Sequence, residues 1–192
     1  MISIAEHLER TGLEIRILAT DKFPNPAAMA ELSPRTRGRI KGSLESLDAT
    51  RLPAHLSGVR TLFNSFHHFG PEAAQQILQD AYQNRQPIAV FEITDRALGR
   101  VACAFPGTFI AVFLLLARMR PFRLSWWLLT WFVPILPLSI GWDGLVSHLR
   151  SYTSFELGRL IEGMDQNYSW QMGGLTAPRA GVRITYLVGC PV

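Results

Sequence analysis

The chain has 192 residues, a length suited to one domain with a real core, and 48% of it is apolar. Its net charge of +4, carried by 17 Arg and 2 Lys, is scattered, so no basic block marks it as a nucleic-acid binder. The two cysteines, Cys103 and Cys190, have no CxxC or Cys/His spacing, so no metal site is expected; with a start that lacks the pattern of a signal peptide, a reduced cytoplasmic setting is expected.

In chain order, Ile4, Ala5 and Leu8 have helical spacing, and Thr11-Gly12 stops that helix. Leu13–Ala19 reads as a buried strand ending at Thr20-Asp21. A loop follows over 22–26, and a short helix is predicted over 27–32. A short strand at 44–47 would end at Asp48-Ala49. Val59–Phe66 is a strong strand running into the polar pair His67-His68. Gly70-Pro71 then opens an amphipathic helix over 72–85, with Ala74, Ile77, Leu78, Ala81 and Tyr82 on one face. Gln86-Pro87 ends it, and Ile88–Ile93 forms another strand with Glu92 near its end. After an apolar segment at 101–142, Thr153-Ser-Phe-Glu156 has the form of a capping box, with Tyr152 and Leu157 as its hydrophobic staple. Tyr168–Met172 and Val182–Val188 read as a hairpin joined by 173–181. Alternation of this kind implies an α/β fold with a largely parallel sheet between helices.

Several polar residues fall where such sheets bind ligands, at strand carboxyl ends. Asp21 closes the first strand, where a carboxylate can accept two hydroxyl hydrogen bonds or simply form a turn. Asp48-Ala49 reads either as a simple turn or as a ligand-binding position. Asn64, Ser65, Phe66, His67 and His68 lie at a strand-to-helix corner, where an imidazole can act as a base or merely cap backbone. Adjacent side chains on an extended segment point opposite ways, so the histidines are not expected to face one substrate together. Glu92 is expected either at the pocket mouth or paired with Arg96.

Together these residues resemble the class I S-adenosylmethionine-dependent methyltransferases of the small-molecule type, over most of the chain outside 101–142. The resemblance implies a Rossmann-like sheet, mostly parallel, with a C-terminal antiparallel hairpin. It implies S-adenosyl-L-methionine as cofactor, with Asp21 on the ribose, Asp48 and Ala49 near the adenine, and Asn64 and Ser65 along the cofactor. Phe66, His67, His68 and Glu92 would line the acceptor pocket, the histidines being weak catalytic candidates. The family's first strand, which lies mid-sheet, and its glycine-rich loop should precede residues 2–10. The chain starts after them, so an N-terminally shortened polypeptide is expected. The implied activity is methyl transfer to a small, lipophilic acceptor; the alternative is an inactive remnant that binds a membrane or a partner. Another nucleotide-binding α/β domain is disfavoured, because neither a dinucleotide nor a phosphate-loop motif is present.

The apolar insertion has its own logic. Val101–Ala117 and Leu124–Trp142 carry no charge and flank Arg118-Met-Arg120-Pro-Phe-Arg123. A spanning hairpin needs about 20 apolar residues per helix, so both runs are marginal. Tryptophans and arginines both favour the headgroup region, which suits an element lying on or dipping into a bilayer. A lid or a contact within a soluble protein is the third reading. Asp143 is expected either as a turn residue or reaching the pocket. Membrane contact would make the protein peripheral on the inner face.

Overall fold

Asn25 and Pro26 show how locally the first part of the chain is determined. In the computed structural model, which describes residues 2–13, 15–116, 118, 123–177 and 182–192, the Asn25 side chain caps helix α2 (Pro26–Arg35) by accepting from the Ala28 N–H at 3.2 Å. Pro26 takes the first helical position, where its missing N–H costs nothing. This helix is the crossover between two parallel strands, β1 (Ile17–Asp21) and β2 (Ile40–Ser46). Contacts divide the chain into two compact units, Met1–Leu56 and Ser57–Val192.

In the first unit, α1 (Ile2–Arg10) buries Ala5 and ends at Gly12, whose φ of 85° favours glycine. The strand read over 13–19 begins only at Ile17, and it is not buried: Leu13 and Leu18 are exposed. A two-stranded sheet covered by one helix cannot enclose both faces. The second strand is longer than the 44–47 segment read from sequence. Residues 33–46 are polar and weakly patterned; 33–35 complete α2, and contact with α2 positions β2. Gly42 allows that contact, since a Cβ there would lie 2.7 Å from the Met29 backbone.

In the second unit, β3 (Arg60–Phe63) runs parallel to β4 (Ile88–Glu92) through the crossover helix α3 (Pro71–Gln83). The helix buries Ala74, Ile77, Leu78 and Ala81, the face its periodicity assigns. β5 (Tyr168–Thr176) and β6 (Arg183–Pro191) form an antiparallel hairpin, and β6 pairs antiparallel with β4, giving the order β3-β4-β6-β5. Phe66, Ile77, Leu78, Ile88, Val90 and Leu187 form the core. Gly173 and Gly174, read as loop, lie inside β5; a Cβ at Gly173 would sit 2.8 Å from the Tyr186 hydroxyl. Residues 178–181 of the connection lie outside the described residues. The fold is α/β, with parallel crossover pairs and a closing antiparallel hairpin.

Three helices occupy the insertion: α4 (Leu98–Leu116), α5 (Leu124–Trp131) and α6 (Ile135–Arg150). It therefore extends past 142 to Arg150, and Asp143 is not in a turn but exposed in mid-helix. Small residues seat α4 on α6: a Cβ on Gly141 would lie 3.2 Å from the Phe105 ring, and one on Gly144 2.6 Å from the Thr108 hydroxyl. Their other faces are open, with Ile110, Leu114, Trp131, Phe132 and Trp142 exposed. Among the described residues, α4 is long and apolar enough to cross a membrane, with mean hydropathy 1.8, and α5 and α6 form an apolar pair bent by 71°. Arg120 of the intervening arginine cluster lies outside the described residues.

α7 (Ser154–Leu160) starts from the expected capping box: the Glu156 N–H donates to Thr153 Oγ1 at 3.2 Å, and Glu156 Oε2 accepts the Thr153 N–H at 2.8 Å.

Candidate functional site

β3 does not run to Phe66 as its apolar pattern suggests. Asn64 adopts φ 49°, its N–H donates to Phe91 O at 2.7 Å, and its side-chain carbonyl accepts the Ile93 N–H at 3.3 Å. Asn64 thus closes the ladder at the carboxyl end of both parallel strands. Ser65 leads into a 3-10 turn over Phe66–His68 and accepts the His68 N–H at 3.1 Å.

The turn changes what the histidines can do. They are not on opposite sides of an extended chain: their rings lie 4.3 Å apart, centroid to centroid. His67 is buried and His68 is exposed. His67 Nδ1 lies 2.5 Å from Glu92 Oε2, and the other Glu92 oxygen accepts the Phe66 N–H at 2.7 Å. A carboxylate only accepts, so Nδ1 carries the proton and donates it. Thr94 donates to the same Glu92 oxygen at 3.3 Å, and Ser151 donates to the Thr94 hydroxyl at 2.6 Å. Glu92 is therefore neither at an open mouth nor paired with Arg96, whose partner is Glu156 at 2.9 Å. It is a buried acceptor that fastens the turn after β3 to the end of β4. Of the two imidazoles, His68 is the exposed one on this rim. Phe66, fully buried against Tyr152, belongs to the core and not to a pocket wall.

In the first unit, Asp21 and Asp48 also stand at carboxyl ends of adjacent parallel strands. Asp21 is the last residue of β1, and its carbonyl accepts the Leu47 N–H at 3.0 Å. Asp21 Oδ1 accepts the Phe23 N–H at 2.8 Å, which leaves Oδ2 free among the described residues. Asp48 is more heavily engaged. Lys22 Nζ lies 2.6 Å from its Oδ2, and Oδ1 accepts both the N–H and hydroxyl of Thr50. The Lys22 hydrogen bond, followed by those from Thr50, lowers the Asp48 carboxyl to about 2. Asp21 thus keeps more free acceptor capacity than Asp48. Ala49 is half-buried in the turn after Asp48.

Sequence reasoning missed a cavity of about 620 Å³ in the second unit, bounded by the start of α3, the end of α6 and α7. Arg96, Arg150 and Arg159 line it, with Glu72 and Glu156. Arg150 donates to His68 O at 3.0 Å and Tyr152 to Phe69 O at 2.7 Å, so the cavity wall is tied to the histidine turn. Burial pushes the Tyr152 hydroxyl pKa up, with Glu156 adding to it. Burial alone would raise Glu156, but the Thr153 and Arg96 hydrogen bonds outweigh it and leave that carboxyl low. The cavity joins residues from four separate segments, and no local motif signals it. Among the described residues, no three His, Cys, Asp or Glu side chains converge to hold a metal.

No family model matches the sequence, and no curated protein matches it. Solved structures do resemble it. One, known as a pericyclic reaction enzyme, superposes with TM-score 0.55 at 15% identity, over all of this chain and 39% of its own, so this chain spans about two fifths of that protein. Another, a Rhodobacter sphaeroides protein named for Zn-dependent alcohol dehydrogenases, gives TM-score 0.54 at 13% identity, over 98% of this chain and 79% of its own. At such identities the likeness is one of fold alone.

Proposed function

We propose that the chain is a methyltransferase-like protein that transfers a methyl group from S-adenosyl-L-methionine to a small, lipophilic acceptor, working on the inner face of a membrane in the cytoplasm. One observation carries this reading. Asp21, Asp48, Asn64, His68 and Glu92 all stand at or just past the carboxyl ends of parallel strands, where open α/β sheets bind ligands. The finer fold is a Rossmann-like methyltransferase sheet. Among the described residues, β1 pairs with β2 in one sheet and β3 with β4 in the other.

The cofactor supplies the electrophile, so the protein mainly has to align the acceptor and exclude water. Asp21 Oδ2 would take the ribose, and Asp48 would stand by the adenine. His68 would accept a proton from the acceptor, while His67 and Glu92 hold the turn that carries it. The exposed apolar faces of α4–α6 support a lipophilic acceptor reached from a bilayer.

Calorimetric titration of this chain with S-adenosylhomocysteine tests the proposal. Binding is expected. No binding removes the methyltransferase reading. In that case, co-flotation with liposomes would favour the second reading, a membrane-associated remnant, which the open helical faces also support.

A further inference from the structure

We propose that the cavity bounded by α3, α6 and α7 binds the phosphate headgroup of an acidic phospholipid. The inference rests on the membrane contact proposed above and gives that contact a chemical specificity. The cavity lies where the apolar helices leave and rejoin the sheet unit. Arg96 precedes α4 by two residues, and Leu149 and Arg150 end α6. These two ends are held together, since His148 Nδ1 lies 2.8 Å from Asp95 O.

The charges around the cavity are not equally available. Glu156 is occupied by Arg96 at 2.9 Å and by Thr153, so that pair is internally neutral. Arg150 is bound only to a neutral carbonyl, His68 O, and Arg159 has no carboxylate partner among the described residues. Glu72, exposed on the first turn of α3, opposes them. Two guanidinium groups against one carboxylate leave a positive excess, and guanidinium geometry suits two-point contact with phosphate. The remaining wall is apolar, formed by Phe69, Pro71, Leu149 and Leu160. Leu149 is 51% exposed and continues onto the open face of α6 with Trp142. An anion attached to acyl chains matches that sequence of surfaces: charge inside the cavity, hydrocarbon along the helix. A free phosphate would use only the first part.

Vesicle flotation tests the inference, with phosphatidylcholine alone and with added phosphatidylglycerol. The wild type is expected to bind both, and about tenfold more tightly when phosphatidylglycerol is present. R150Q/R159Q and the single variant R159Q, whose side chain makes no hydrogen bond or ion pair among the described residues, should lose most of that gain yet still bind phosphatidylcholine. R118Q/R123Q, at the other end of the helices, should keep it. Failure of the wild type to bind either vesicle overturns the membrane reading itself. Binding without a phosphatidylglycerol gain, a gain that survives in R150Q/R159Q, or one lost only in R118Q/R123Q overturns the cavity assignment. Soluble glycerol phosphate should bind at least tenfold more weakly than short-chain phosphatidylglycerol; equal affinity would make free phosphate the ligand.

Discussion

His67 Nδ1 and Glu92 Oε2 lie 2.5 Å apart in a pocket of protein where His67 is 2% exposed and Glu92 6%. Their residues are 25 apart in sequence, and their contact joins the turn after β3 to the end of β4. Breaking one side of a buried pair leaves the other desolvated, so Glu92→Ala should cost about 3–5 kcal/mol in urea unfolding. His67→Ala should cost a similar amount, and the double variant much less than the sum. Additive costs would mean that the two groups do not hold each other.

If His68 is the imidazole that meets substrate, His68→Ala should lower methyl transfer by about 10²-fold or more while leaving the unfolding midpoint nearly unchanged. His67→Ala should lower stability first. Enzyme assays beside denaturant curves separate the two. Equal behaviour of the variants would contradict the division of roles.

Asp21 and Asp48 differ in how much of the carboxylate remains available. Asp21→Asn is expected to weaken S-adenosylhomocysteine by about tenfold or more in calorimetry. Asp48→Asn should weaken it less, because Lys22 and Thr50 already hold its oxygens. The depressed Asp48 carboxyl favours the folded state at pH above its ordinary value near 3.8, and that contribution is lost as pH falls toward about 2. Lys22 and Asp48 are 57% and 38% exposed, so solvent screening should hold the effect below about 1 kcal/mol in acid unfolding.

Tyr168 is controlled by burial, which pushes its hydroxyl up to about 12, with Cys190 adding to the shift. A raised acid pKa means that the folded state holds the proton longer. Stability is thus intact below pH 10 and falls as pH rises toward about 12. Tyrosinate absorbance should show a component titrating near pH 12 that Tyr168→Phe removes, while the raised Tyr152 component remains. That variant also deletes the bond to Gln86 O at 2.7 Å, costing about 1 kcal/mol near neutral pH.

Gly42 fits because α2 passes directly over β2. Gly42→Ala would set its Cβ 2.6 Å from Met29 Cβ and 2.7 Å from Met29 backbone. Backbone cannot swing aside as a long side chain can, so a loss of about 1–3 kcal/mol or more is expected in thermal or urea unfolding. Gly70→Ala, with open space at its Cβ, is the matched control.

Much of the architecture was legible because its signals are local. The 3.6-residue stripe of Ala74, Ile77, Leu78 and Ala81 specified α3, and Thr153 with Glu156 specified the start of α7. Asn25-Pro26 could have placed the first turn of α2 more closely than the 27–32 reading did. Where apolar pattern ran ahead of structure, backbone geometry decided the end: the run through Phe66 stops at Asn64 because the left-handed φ there turns the chain.

By itself, the sequence determined the alternation of helices and strands, the carboxylates at strand ends, and a charge-free segment too apolar to ignore. These depend on residues within a turn or two of one another. Only the tertiary structure decided that Glu92 faces His67, that His68 rather than His67 is open, and that Arg150 and Arg159 share a cavity. Those facts join side chains from separate elements, and their distances follow from how α3, α6 and α7 pack against the strands. No periodicity along the chain encodes a distance across it.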